Sequence, residues 1–346
     1  MVKNNICTWI YLEPKGEESI YPQVDGKSSD EKFQAVYWKC VCTFFATSKR
    51  QNPSASHVLF SNVTSAQYPV VDGLVVKDYL EGLGVTFHQV PLDTITPKGY
   101  HHAWRNQFYV FDILRFISKN GEPGQKHLIL DSDCLWTKSS DPIWELMDTY
   151  PWPNYIYDYE PDHVVNGISR VGMQQVFSEL SGRTVTDVPN YSGGEILAVT
   201  TEKAVEIIEG FEIVWPQLLV RHDEGLPKLN EEAHVLSYLH LEKEGLHGEG
   251  KLNEHIKRLW TLEKGFNNVE PADESLTIWH LPAEKREGIA MIFRRLRDRR
   301  SSFWTLSLPE LTTWMGGLVG IPSRKISMND SLWKLGEKVK GKISNF

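Results

Sequence analysis

Four short apolar runs separated by helix-length amphipathic segments fill the first 130 residues, and this alternation restricts the fold more than any other feature of the chain. Residues 6–12 are rich in β-forming side chains and end at Glu13-Pro14-Lys15-Gly16, a loop signal. Within 31–50, Phe33, Val36, Tyr37, Cys40, Val41 and Phe44 recur at three- and four-residue spacings, the period of a helix that Asn52-Pro53 then stops. Residues 57–63 read as a strand, 74–83 as a helix ended by Gly84, and 85–90 as a strand before Pro91. Trp104, Phe108, Phe111, Leu114 and Ile117 form another helical stripe, and His127-Leu128-Ile129-Leu130 is the kind of run expected of a strand buried on both faces. A β-α-β-α-β-α-β order predicts an α/β fold with a doubly wound, mostly parallel sheet flanked by helices. Its ligand site should lie beyond the carboxyl ends of the strands.

The second half is less regular. Aromatic residues crowd 144–159, 191–200 reads as one strand, 202–209 and 230–243 as helices, and 275–280 as a strand ending in His-Leu-Pro. No run nears the roughly 18 apolar residues that a membrane-spanning helix needs. The first residues carry no signal-peptide pattern. Cys7, Cys40, Cys42 and Cys134 make no CxxC pair, so reduced thiols in the cytoplasm are the simplest expectation. The net charge of −8 argues against general nucleic-acid binding.

Chemistry concentrates at Asp131-Ser132-Asp133, where two carboxylates follow directly on the buried run at 128–130. Paired oxygen ligands at a strand end suit a hard divalent cation, and the competing reading is an Asx turn that merely ends a strand. A β-α-β-α-β-α-β half ending in an apolar strand and Asp-x-Asp resembles the nucleotide-sugar half of the GT-A glycosyltransferases. That resemblance implies that Asp133, with Asp131, holds Mn²⁺ or Mg²⁺ against the phosphates of a nucleotide-sugar, and that Asp131 contacts the ribose or a metal-bound water. A divalent ion would neutralise the charge that develops on the leaving diphosphate.

Three further segments follow in the order that fold implies. Asn190-Tyr191-Ser192-Gly193-Gly194-Glu195 is similar to the Asn-Ser/Ala-Gly turn that borders the donor sugar in the glycogenin and lipopolysaccharide galactosyltransferase family. Ser192, Gly193 and Gly194 are then donor-binding candidates, while plain tight turns also use paired glycines. Asn230-Glu231-Glu232 is similar to the acidic segment that contacts the sugar or activates the acceptor, making Glu231 or Glu232 the catalytic candidate with Glu232 slightly favoured. Helix capping would place the same residues there unaided. Thr277-Ile278-Trp279-His280 resembles the approach to a late His-x-x-Gly-x-x-Lys motif, so His280 is the third metal-ligand candidate and Lys285 and Arg286 the diphosphate cations. Ala283 stands where that motif has Gly, and Arg286 where it has Lys. Arg105, ahead of the 108–117 stripe, is a candidate for the donor sugar or phosphate through its bidentate fork. Trp136, Trp144, Trp152, Tyr155, Tyr157 and Tyr159 could offer flat faces to an acceptor sugar, although most of the twelve tryptophans must be core.

From Lys285 onward there are 13 Lys/Arg against 5 Asp/Glu, a net of +8, which leaves −16 on residues 1–284. The expected organisation is a transferase domain over 1–285 (nucleotide-binding half 1–135, acceptor and sugar half 136–285) followed by a basic helical C-terminal extension over 286–346. That extension suits peripheral contact with an anionic membrane or, equally, a solvated helix face. The function expected is transfer of a hexose-type sugar from a nucleotide-diphospho-sugar, a UDP-sugar being commonest in that fold, to a hydroxyl on a glycan, lipid or protein. A nucleotidyltransferase and a non-catalytic carbohydrate-binding protein are the alternatives. Loss of Asp133 is expected to abolish metal-dependent nucleotide binding at little cost in stability.

Overall fold

The computed structural model describes residues 3–19, 24, 26–101, 106–262 and 265–325. Arg105 and the part of the basic extension beyond Lys325 lie outside the described residues.

The first strand, β1 (Asn5–Ile10), is followed by α1 (Glu31–Gln51), β2 (Ser56–Ser61), α2 (Val76–Gly82), β3 (Val85–Gln89), α3 (Tyr109–Asn120) and β4 (Lys126–Leu130). Further along come β5 (Cys134–Trp136), α4 (Asp141–Thr149), α5 (Arg170–Ser181), β6 (Ile196–Thr200) and α6 (Thr201–Asp223). The chain continues through α7 (Glu232–Glu244), β7 (Ile256–Arg258), β8 (Ile278–His280), α8 (Gly288–Leu296), α9 (Ser302–Thr305) and α10 (Leu308–Val319). The main sheet runs β6-β4-β1-β2-β3. Four of its strands are parallel, and β6 pairs antiparallel with β4. The alternation in the sequence therefore gives a mostly parallel sheet flanked by helices, as expected. Strand order reverses between β1 and β4, and loops diverging from neighbouring carboxyl ends leave a crevice there.

Both sheet faces are buried, and the side chains sort by the period-two rule. Leu128, Leu130, Ile196 and Ala198 enter the core beneath α1, α2 and α8, whereas Ile129, Leu197 and Val199 enter the core beneath α3, α6 and α7. A second sheet, β7-β8-β5, extends the chain beyond Asp131–Asp133. His280 lies opposite Cys134 across the antiparallel pair β8-β5, and Arg258 lies beside His280 in the parallel pair β7-β8.

Two expectations change. The single strand over 191–200 divides into a short pair with Ile156–Tyr157 and the separate strand β6, because Gly193-Gly194 turns the chain between them. The basic segment after Lys285 is not a separate layer where it is described. Ile289, Ile292, Phe293, Phe303, Leu311 and Met315 are fully buried in the α1 core, so the division drawn at 285 passes through that core. Among the described residues no helix is long and apolar enough to cross a membrane, and all four cysteines are buried free thiols.

Two buried histidines tie the fold to pH. His57 bonds Ser48 Oγ at 2.9 Å, and His127 bonds Asn5 and Thr201 at 3.2 and 3.1 Å. Burial lowers both imidazoles from 6.5 to about 4. Their folded values are depressed, so the stability they contribute is complete above pH 6.5 and is lost as the pH falls toward 4, where only the unfolded chain takes up the protons. The loss approaches roughly 3 kcal/mol per histidine. Urea midpoints should drop between pH 7 and 4.5, and drop less in the His57→Gln, His127→Gln double variant. An equal drop in both proteins would exclude these groups as the cause.

Candidate active site

The loops after β1 and β4 and the strand end of β8 enclose a cleft of about 280 Å³ at the switch point of the sheet. Asp131 and Asp133 reach it because β4 ends at Leu130 and the chain must turn. The Asp131 N–H donates to the Glu195 carbonyl at 3.0 Å, which places the start of β6 beside the two carboxylates. β8 is anchored from the other side by the Leu281 N–H donating to the Asp133 carbonyl at 3.1 Å. One carboxylate oxygen from each aspartate and a ring nitrogen of His280 consequently lie within 4.8 Å of one another. His280 Nε2 is 3.6 Å from Asp131 Oδ2 and 3.4 Å from Asp133 Oδ2. Its other nitrogen, Nδ1, meets Glu195 Oε1 at 3.1 Å.

Charges are closely balanced around this triad. Lys285 Nζ donates to Asp133 Oδ2. Arg258 Nε and Nη2 reach the two oxygens of Glu195 at 3.1 and 3.2 Å, and the guanidinium lies over the Tyr157 ring at 4.6 Å. Three carboxylates, Asp131, Asp133 and Glu195, thus face His280, Lys285 and Arg258. Burial and the neighbouring Asp133 charge push the Asp131 carboxyl up. Burial also opposes ionisation of Asp133, but Lys285 and His280 outweigh it and hold that carboxyl far below the usual range. For His280, burial disfavours the cation, yet Asp133 and Glu195 raise it to about 9.

Two carboxylates and one imidazole, converging and with the outer imidazole nitrogen held by a buried carboxylate, form a donor set suited to Mn²⁺ or Mg²⁺. These residues fit the metal that the Asp-x-Asp spacing implies.

The remaining sequence candidates divide into two groups. Gly194, Glu231, Glu232 and Lys285 line the cleft with the triad. A Cβ on Gly194 would sit 2.9 Å from Glu232 Oε1, so glycine permits the acidic helix start to approach the turn. Glu231 is committed to structure: its carboxylate accepts from Tyr191 Oη and from Asn166 Nδ2. Asn230 donates to the Asn166 carbonyl at 2.9 Å instead of capping α7. Burial and the adjacent Glu231 raise the Glu232 carboxyl well above its ordinary value.

Ser192, Gly193 and Arg286, the other donor-binding candidates, do not line the cleft. Ser192 Oγ accepts from Asn154 at 3.0 Å and its N–H donates to Ser237 Oγ at 2.8 Å, while the Gly193 N–H is taken by the Tyr155 carbonyl at 2.8 Å. Arg286 is exposed, whereas Glu284 and Lys285 before it are buried and Lys285 lines the cleft. Trp136 and Trp152 are core residues and Trp144 is nearly so. Tyr157 and Tyr159 stack at 5.0 Å beside Arg258.

Several cleft residues were not singled out from the sequence. Trp9, Tyr11 and Glu13 follow or end β1, and Trp260 follows β7. Asn166 sits in a two-residue hairpin turn between Val164–Val165 and Ile168–Ser169, with Asn166 and Gly167 both at positive φ. Asn-Gly between apolar pairs is a strong hairpin signal that would have located it. Glu195 carries the same mark as Asp131, an acidic residue abutting a buried apolar strand. Arg258 carries none.

No family model and no curated protein sequence matches the chain. Among solved structures, the chain is similar to an active-site mutant of LgtC at 13% identity and TM-score 0.47, over 94% of this chain and 98% of that one. The galactosyltransferase LgtC in complex with donor and acceptor sugar analogs gives 13% and 0.46 over the same shares. Mouse xyloside xylosyltransferase 1, in its apo form, gives 13% and 0.47 over 81% of this chain and 97% of that one.

Proposed function

We propose that this protein is a metal-dependent glycosyltransferase that moves a sugar from a nucleotide-diphospho-sugar, of the UDP class, to a hydroxyl of a glycan, lipid or protein acceptor. The observation that carries the reading is the Asp131, Asp133 and His280 triad at the switch point of a doubly wound sheet, in a cleft also lined by Lys285, Glu231 and Glu232. A bound Mn²⁺ or Mg²⁺ would supply charge neutralisation to a departing diphosphate. Asp131, Asp133 and His280 would hold it, and Lys285 would add a second positive charge at the same end of the cleft. Glu232 also lines the cleft, and burial beside Glu231 makes its carboxylate more basic, which suits a group that takes a proton from an acceptor hydroxyl. Glu231, held by Tyr191 and Asn166, would keep the start of α7 in place.

The test is incubation of the purified protein with individual UDP- and GDP-sugars and Mn²⁺, without acceptor. Slow release of the nucleoside diphosphate is expected, at a rate that depends on the metal. Pyrophosphate release from a nucleoside triphosphate would replace this reading with nucleotidyl transfer. Sugar binding with no turnover of any donor would replace it with a non-catalytic carbohydrate-binding role.

A further inference from the structure

Glu195 is fully buried and accepts from donors on three separate elements. His280 Nδ1 at 3.1 Å comes from β8, Arg258 Nε and Nη2 at 3.1 and 3.2 Å come from β7, and Tyr157 Oη comes from the strand pair below Gly193. An ionised carboxylate has no proton to give, so each of these three groups must be the donor. The imidazole is thereby fixed with Nδ1 protonated and turned so that Nε2 faces Asp131 and Asp133. The Arg258 guanidinium, which lines the cleft, is held over the Tyr157 ring.

We propose that Glu195 is a positioning residue that orients His280 for metal binding and couples that histidine to Tyr157 and to Arg258, which lines the cleft. This inference rests on the metal site proposed above. Carboxylate partners of metal-ligating histidines orient the ring and raise its basicity, and their loss typically weakens metal affinity about 10- to 100-fold. Glu195 differs from an isolated partner of that kind because it is shared. Arg258 balances its charge, so disturbing Arg258 must reach the metal through Glu195. The neighbouring backbone leaves Glu195 little freedom: a Cβ on Gly193 would fall 2.5 Å from Glu195 Oε2, so only glycine permits the carboxylate to lie back over the turn.

The test measures Mn²⁺ alone, titrated into wild type, Glu195→Gln, Tyr157→Phe and Arg258→Lys and followed by the electron paramagnetic resonance of the free ion. Circular dichroism melting accompanies each variant. Glu195→Gln should weaken Mn²⁺ about 10- to 100-fold while excess Mn²⁺ still fills the site, as a role exerted through ring orientation requires. Tyr157→Phe and Arg258→Lys, which leave Glu195 and His280 in place but remove or misalign one of its donors, should weaken it by a smaller factor. If Glu195→Gln does not fold, these two variants carry the test. Wild-type Mn²⁺ affinity in every folded variant would overturn the inference and leave the metal site standing. Absence of Mn²⁺ binding in wild type would overturn both.

Discussion

Asp133→Ala is expected to abolish Mn²⁺ binding, metal-dependent binding of UDP, and transfer. It removes the carboxylate nearest both His280 Nε2 and Lys285 Nζ, and Asp131 is the one acidic side chain of the triad left. The consequence for stability differs from what the sequence alone suggested. An Asp-x-Asp at a strand end looks exposed and dispensable to the fold, yet Asp133 is only 3% exposed and its charge faces a Lys285 side chain that is itself buried. Deleting one partner of a buried ion pair strands the other, at a cost of about 3–5 kcal/mol. Asp133→Ala should therefore melt well below wild type in metal-free buffer, and Asp133→Ala with Lys285→Met should recover part of that loss without recovering metal. Isothermal titration with Mn²⁺ and UDP, alongside thermal melts of the three proteins, separates the effects. Wild-type Mn²⁺ affinity in Asp133→Ala would sink the metal assignment. An unchanged melting temperature would mean that Lys285 finds water or another partner once the carboxylate has gone.

The parts of the fold that were legible are those in which one residue type answers to one physical demand. The run at 128–130 could only be buried on both faces, and the helical period of 31–50 survives in α1. The positions of Asp131 and Asp133 followed from the strand that precedes them. His280 was legible as the last residue of a strand, but its pairing opposite Cys134 was not, because an antiparallel partner 146 residues away leaves no local mark. Arg258 leaves no local mark for the same reason, being an ordinary charged residue until the β7-β8-β5 sheet brings it beside His280, whereas Glu195 abuts a buried apolar strand as Asp131 does and meets His280 through the β6-β4 pairing. Ser192 and Gly193 are a different case. The turn is legible, but which of its residues line the cleft is not, because that depends on the distant Ser237 and Tyr155 that accept from the Ser192 and Gly193 N–H groups.

Charge misled most at the C-terminus, and a chain ending after Lys285 tests how far. The +8 net charge of residues 285–346 reads as a solvated appendage. In α8 that charge is confined to one side: Arg294 and Arg295 are partly exposed, while Ile289, Met291, Ile292, Phe293 and Leu296 face α1. Phe303, Leu311, Met315, Leu318, Val319 and Ile321 continue the same buried surface. Each such side chain contributes roughly 1.5–3 kcal/mol on burial, so together they outweigh the 5–15 kcal/mol by which a whole domain is usually stable. The cut would also remove polar ties. Buried Glu284 accepts from the Gly288 N–H at 2.8 Å and pairs with Arg324 at 2.5 Å, and Arg50 donates to the Leu306 carbonyl at 2.6 Å. The truncated chain should consequently fail to fold cooperatively: it should bind a hydrophobic dye, elute as aggregate and show no sharp melt, whereas the full chain melts in one transition. A soluble 1–285 chain with a sharp melt near that of the full protein would establish the sequence-drawn boundary as a true domain boundary. It would also mean that the α1 face buried by α8 and α10 can be covered by other means.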